Sequence, residues 1–286
     1  MDDNTKKFIQ IFSGLDRAYG QTQSRSKNES GKLEAKSWIV KEPLTEQKWI
    51  DHLDGKEPSL GIIPIKDDNT CTWGAIDIDQ YPLNHGELVT RLIQTNELPV
   101  VIARSKSGGA HIYFFLKERV SCAIVQNKLK EIASVLGYAT AEIFPKQTKL
   151  LLEKGDRGSV LNMPYYGGSR TTRYAHNKQG EAITDLEEFI TYAKSQAISK
   201  AELESLKIKS QELNDKDLDG CPPCIKVLCT MGFPQGTRNN GLFNIGVFLR
   251  KKFADDWEKR VEQKNFEYMK PPLGASEVLT VIKALN

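Results

Sequence analysis

Apolar residues in this chain fall into two rhythms, and the change from one to the other marks out the elements. Phe8, Ile9, Phe12 and Leu15 return every three or four positions and predict a helix over residues 5–20. Residues 21–36 hold few apolar side chains among Gln, Ser, Lys and Gly, and are expected as a loop. A short strand at Trp38-Ile39-Val40 precedes a helix capped by Thr45 that carries Trp49, Ile50 and Leu53. The rhythm then changes to contiguous or alternating apolar runs. Those over 60–65, 73–79, 98–103, 111–116 and 141–144 are expected as strands, with a last short run over 160–163. Helices are expected over 88–95 and, with stronger amphipathic spacing, over 123–136.

From residue 181 onward the strand rhythm stops. Residues 185–193 predict a closing helix, and 195–219 are dense in Lys, Glu, Ser and Asp without a strong apolar face. Helical spacing returns over 222–231, 239–253, 255–268 and 276–285, with Gly and Pro between. The expected fold class is therefore α+β. A domain over 1–193 has a mixed or antiparallel central sheet, a charged linker covers 194–220, and a small all-helical bundle covers 221–286.

Chemistry gathers at two places in the strand region. In Trp73-Gly74-Ala75-Ile76-Asp77-Ile78-Asp79 the alternation of a strand turns both carboxylates to one face and Ile76 and Ile78 to the other. Two acids held together on a half-buried sheet repel unless a cation lies between them, and a hard divalent ion such as Mg²⁺ or Mn²⁺ suits oxygen ligands. The second place is Ser105-Lys106-Ser107-Gly108-Gly109-Ala110-His111, a Gly-rich turn between two strands whose N–H groups and imidazole suit phosphate oxygens. The bland readings are a tight hairpin turn and a hydrogen-bonded histidine at a strand start. Metal ligands followed by a phosphate cradle point instead to nucleotidyl transfer.

In this order, Asp77-x-Asp79, then Ser107-Gly108-Gly109-Ala110-His111, then Ala141-Glu142-Ile143-Phe144-Pro145-Lys146-Gln147 resemble the motifs of the archaeo-eukaryotic primase superfamily. The nearest branch is the primase-polymerases of phages, plasmids and mobile elements. The resemblance covers most of residues 1–175 and continues more loosely into the C-terminal helices. It implies a DNA-dependent primase-polymerase that makes primers on single-stranded DNA and extends them by nucleotidyl transfer. It also implies two Mg²⁺ or Mn²⁺ ions held by Asp77, Asp79 and Glu142, and a phosphate contact from His111. Many relatives carry Asp where Glu142 stands, although the longer carboxylate still ligates. The implied partners are a single-stranded DNA template, nucleoside or deoxynucleoside triphosphates, and a replicative helicase. Relatives often continue into a zinc-binding tail or a helicase, beyond a pattern like the one ending here at Ala284-Leu285-Asn286.

Further residues are expected to line the same site. Lys146 follows Glu142 by four positions and shares its face if the strand passes Pro145; Asn162 suits a sugar or base contact, and Arg173 a phosphate or template contact. Ser105, Lys106, Ser107, Gly108 and Gly109 complete the nucleotide-binding set. In the bundle, Arg238, Asn239 and Asn240 open a helix whose N-terminal amides favour an anion, and are expected to meet the template. Relatives on plasmids use such a helical domain to engage template and initiating nucleotide.

Composition changes this picture little. Net charge is +3 over 286 residues, compatible with nucleic acid without demanding it. The excess is local: residues 221–286 carry 10 Lys and Arg against 6 acids. No stretch has the length and apolarity of a membrane span and Met1-Asp2-Asp3-Asn4 lacks a secretory pattern, so a cytoplasmic protein is expected. Five cysteines, an odd number, suggest free thiols. Cys221-Pro222-Pro223-Cys224 has the spacing of half a zinc knuckle, but its prolines suit the entry to a helix with the thiols turned inward. Three other classes stay open: a metal-dependent nucleotide-sugar glycosyltransferase, a non-catalytic single-stranded-DNA-binding accessory, and a nuclease.

Overall fold

A computed structural model of the chain describes residues 2–27, 33–79, 83–136, 138, 141–207, 215–233 and 236–286. It divides into two compact units, Met1–Ile132 with Thr140–Lys207, and Ala133–Ala139 with Ile208–Asn286.

The first unit opens with α1 (Asp3–Ile11), the hairpin β1 (Tyr19–Lys27) and β2 (Leu33–Val40), α2 (Glu46–Leu53), β3 (Ser59–Ile62) and β4 (Thr70–Ile78). There follow α3 (His85–Val89), a π-helical turn over Thr90–Thr95, β5 (Val101–Arg104), β6 (Ala110–Ser121), α4 (Cys122–Val135) and β7 (Glu142–Phe144). The unit ends with β8 (Leu161–Asn162), β9 (Ala175–His176), β10 (Ala182–Ile183), α5 (Leu186–Ser195) and α6 (Lys200–Ser205). Two sheets form, in the orders β2-β1-β3-β8 and β10-β9-β5-β6-β4-β7, and every ladder between these strands is antiparallel. The fold class is α+β with antiparallel sheets, followed by helices.

Register decides what each face of the larger sheet does, because paired residues share a face. Ile102, Ile112, Ile76 and Ile143 pair in a row across β5, β6, β4 and β7. On this face α4 lies close, since a Cβ at Gly74 would meet Leu129 and Val125 at 2.8 Å. The opposite face carries the row Ala103, His111, Asp77 and Glu142. One step along the strands the same face turns apolar, and Val101, Tyr113, Ala75 and Phe144 join a buried core with Phe8, Phe12, Trp49, Leu60 and Phe189. Phe12 anchors it, with its ring 5.3 Å from Tyr113 and 5.6 Å from Trp73, both edge-on. The polar row is where this core stops.

Three expectations need correction. The helix expected over 5–20 ends at Ile11: Leu15 N–H bonds Ile63 O at 2.9 Å, and a Cβ at Gly14 would lie 2.2 Å from that oxygen. The polar stretch expected as a loop over 21–36 is largely β1 and β2, with 28–32 outside the described residues. Its ladder needs only backbone groups, and side chains such as Thr22 and Ser37 bond each other across it at 2.9 Å. The two-residue strands β9 and β10 were not expected at all; a pair of residues carries no periodicity.

Within the charged stretch 194–220, α6 is opened by a capping box between Ser199 and Glu202. Glu202 also meets Lys117 of β6 at 3.1 Å, and Ile198 bridges Leu116. Residues 208–214 lie outside the described ones, and Lys216–Leu218 form a 3₁₀ turn.

The second unit contains α7 (Pro223–Met231), α8 (Arg238–Lys252), α9 (Trp257–Tyr268) and α10 (Ala275–Leu285). Leu218, Cys229, Leu242, Ile245, Leu249, Trp257, Val261 and Val281 form its core. Pro223 stands in the first turn of α7, and Cys221 and Cys229 are buried free thiols. Lys264, 3% exposed, is neutralised by Asp215 and Glu267 at 2.8 Å and Asp217 at 3.3 Å. Burial works against its charge, but the hydrogen bonds of Asp215 and Glu267 win and raise its pKa. No helix among the described residues is long and apolar enough to cross a membrane.

Candidate active site

Asp77 lies on β4, an interior strand, with His111 of β6 opposite it on one side and Glu142 of β7 on the other. Three segments far apart in sequence thus bring an imidazole and two carboxylates onto one line. Asp79, two residues on and exposed, extends the acidic end of the strand. Asp77 itself is mostly buried, and its Oδ1 accepts no hydrogen bond. Burial, then the negative charges of Asp79 and Glu142, push its pKa up to about 7, with Lys146 opposing.

His111 Nε2 lies 3.4 Å from that Oδ1, while Nδ1 is 3.0 Å from the hydroxyl of Tyr113. Burial first, and the positive charge of Arg173 second, lower the His111 pKa to about 4. The ring is therefore neutral at neutral pH, and the contact with Asp77 is not an ion pair. With Tyr113 O–H donating to Nδ1, the ring proton sits on Nε2, which faces Oδ1 without a hydrogen bond. Tyr113 is a residue the sequence reading missed, although its place two positions after His111 on a strand puts it on the same face.

Glu142 is paired with Asp77 through the backbone, but its carboxylate turns to Lys146 Nζ at 2.6 Å. Lys146 reaches it although β7 ends at Phe144, two residues earlier. Among the described residues no three His, Cys, Asp or Glu side chains converge as ligands of one ion. The donor set still fits a hard divalent cation. It offers carboxylate oxygens only, one of them buried and orphaned, on groups that repel one another. Asp77 and Asp79 stand at the end of β4, while the Glu142 carboxylate is taken up by Lys146.

Cations stand nearby. Arg173 is 7% exposed, and burial lowers its pKa while the negative charge of Glu57 works the other way. Its guanidinium donates only a long bond to Met163 O, 3.4 Å, and covers the Tyr166 ring at 4.9 Å. Tyr166 is held by its own hydroxyl, which donates to Gly55 O at 2.7 Å. Burial and the charge of Arg173 lower the pKa of Lys106. A buried guanidinium is costly to hold charged, and a phosphate would offset that cost.

The Gly-rich turn is tightly built. Ser105 N–H donates to Gly109 O at 2.8 Å and Gly108 N–H to Ser105 O at 3.2 Å, so the Gly108 amide is spent inside the turn. Gly108 needs its positive φ of 96°, and at Gly109 a Cβ would lie 2.2 Å from Ile78 O. Ser105 Oγ is buried and unpartnered, and Ser107 is exposed.

Not every expected residue joins this group. Asn162 sits on β8 in the other sheet, where its Oδ1 accepts from Thr22 Oγ1 at 2.9 Å; its link to the site is through the next residue, Met163, whose carbonyl holds Arg173. Arg238, Asn239 and Asn240 begin α8 of the second unit, where Arg238 donates to Pro271 O and both asparagines are exposed.

Residues 8–206 match a family model described as the archaeo-eukaryotic primase domain of the TOTE conflict system. No curated protein matches the chain. A crystal structure of primase RepB′ aligns over 99% of this chain and 93% of its own at 11% identity, with a TM-score of 0.32. That likeness is too slight to bear on function.

Proposed function

The chain belongs to the archaeo-eukaryotic primase domain family of TOTE conflict systems, and from that premise we propose that it is a DNA-dependent primase-polymerase. It starts strands on single-stranded DNA and extends them from nucleoside triphosphates. The observation that carries this reading is the row His111, Asp77 and Glu142 on adjacent strands, with Asp77 Oδ1 left without a hydrogen bond.

Asp77, Asp79 and Glu142 would hold Mg²⁺ or Mn²⁺, whose chemistry is to disperse triphosphate charge and acidify an attacking 3′-hydroxyl. The protein's own groups do the rest. Arg173 and Lys106, both lowered in pKa by burial, meet the phosphates and stabilise the charge that builds on the leaving group. His111, kept neutral and oriented by Tyr113, presents Nε2–H as a fixed donor at the edge of the carboxylates. Ser105 and Ser107 add hydroxyl donors from the turn, and Lys146 passes from Glu142 to a phosphate oxygen. Arg238, Asn239 and Asn240 engage the template strand.

The test is primer-free synthesis on circular single-stranded DNA with labelled nucleotides and Mg²⁺ or Mn²⁺, resolved on a denaturing gel. Short products that need template and metal are expected, reduced about a thousandfold or more in Asp77→Ala and Asp79→Ala with the fold retained. Full activity in either variant overturns the assignment. Arg238→Ala should lower initiation more than extension, and an equal loss in both would remove the template role. Silence on both unprimed and primed templates, with DNA still bound, leaves a single-strand-binding module.

A further inference from the structure

Behind the Gly-rich turn, on the face of the sheet away from Asp77, stands a further histidine. His85 is the first residue of α3, set by Asn84, whose side chain accepts from Glu87 N–H. Its Nε2 lies 3.0 Å from Gly109 O, and the ring is 7% exposed. The carbonyl is an acceptor, so Nε2 carries the proton. Gly109 O thereby receives two donors, Ser105 N–H within the turn and His85 from α3.

The ring is itself held. His176 stacks on it with centroids 5.4 Å apart and planes at 20°, and Tyr174 packs edge-on against His176, also at 5.4 Å. His176 Nδ1 is 3.0 Å from Gly180 O, which fixes its orientation. His176 pairs with Ile102, on the apolar row facing α4 rather than the polar row of the acids. An imidazole on an apolar face is a costly choice where a leucine would pack, and the bond to Gly109 is what distinguishes it.

We propose that His85 is a positioning residue of the nucleotide site, acting from the back of the sheet by holding the Gly109 carbonyl and so the shape of the Ser105–Gly109 turn. Gly109 lies close against the backbone of β4 on its other side, where a Cβ would stand 2.2 Å from Ile78 O. With the carbonyl fixed, the hydroxyls of Ser105 and Ser107 keep one arrangement toward the triphosphate. The proposal rests on the reading of the turn as a phosphate cradle, and its test separates the two.

The experiment compares wild type with His85→Leu, which keeps the packing, and His85→Gln, whose amide Nε2 can reach the same carbonyl. Hydrogen exchange in the ligand-free protein reads the turn directly. The Ser105 amide should exchange about tenfold faster in His85→Leu and near the wild-type rate in His85→Gln. Steady-state incorporation on a primed template should show KM for nucleotide raised about tenfold in His85→Leu with kcat within about threefold, and recovery in His85→Gln. Unchanged Ser105 exchange in His85→Leu overturns the positioning role whatever the activity. So does a KM defect that His85→Gln fails to rescue while both variants melt like wild type. Faster exchange with no nucleotide binding by the wild type would leave the bond in place but remove the phosphate reading, and the proposal with it.

Discussion

Two buried titratable groups in the first unit pull stability in opposite directions with pH. Asp77 has its pKa raised from 3.8 to about 7, so between those values the folded state holds more protons than the unfolded chain. Its contribution is present below that window and is lost as pH rises through it. Asp77→Asn should therefore stabilise the metal-free protein at pH 8 by about 1–3 kcal/mol while abolishing incorporation; urea denaturation that shows a loss instead would argue against the charge strain. His52 is the reverse case. It is fully buried, its Nε2 donates to Pro164 O at 2.8 Å, and its Nδ1 accepts Leu60 N–H at 3.0 Å. Burial holds its pKa down at about 3, against an ordinary 6.5. Its contribution is complete above pH 6.5 and drains away as pH falls toward 3. His52→Ala strands both backbone groups and should cost about 2–4 kcal/mol at pH 7.5, measured by the same denaturation. At this scale Asp77, Asp79 and His111 were legible, because alternation along one strand and a Gly-rich turn beside another are local signals. Tyr113 was within reach of the same rule. Tyr166, His52 and His85 were not, since each also depends on a partner more than twenty residues away, Gly55, Pro164 and Gly109 respectively.

Among the elements, strands with apolar rows announced themselves and polar ones did not. The β1–β2 hairpin was hidden because its side chains are Gln, Thr, Ser and Lys, while what holds it is the backbone ladder to β3. One signal inside it was readable only in three dimensions. Gly20 and Gly61 are direct partners across β1 and β3, and Val160 fills the notch between them. A Cβ would fall 2.2 Å from Val160 Cγ1 at Gly20 and 2.4 Å at Gly61. Gly61→Ala should destabilise by about 1–3 kcal/mol, and the loss should shrink in a Val160→Ala background. Additive losses in the double mutant would show that the notch does not exist. In the second unit the helices were legible from spacing alone, but the cage around Lys264 was not, since Asp215 and Asp217 lie on a turn outside any helix. Lys264→Ala takes the cation from Asp215, although Asp217 keeps Arg260, and should cost about 3–5 kcal/mol.

For the molecule as a whole, the helical core of the second unit is built from its own residues and implies a separable folding. Residues 215–286 carry every member of the helical core, from Leu218 to Leu285, and should unfold cooperatively as an isolated fragment by circular dichroism. A fragment of residues 1–207 should extend a primed template but start few strands; equal rates of both would assign initiation to the first unit alone. A further consequence follows from the strand order β5-β6-β4-β7, in which Asp77 is flanked by chain made well after it. During synthesis the ribosome delivers the acidic pair first, then the turn and His111, and Glu142 last. A nascent or prematurely ended chain that stops short of β7 thus lacks the third carboxylate and the strand that seats it. On the proposed reading such unfinished copies would spare the cell's nucleotides, with β9 and β10 of the same sheet still to follow β7 in translation.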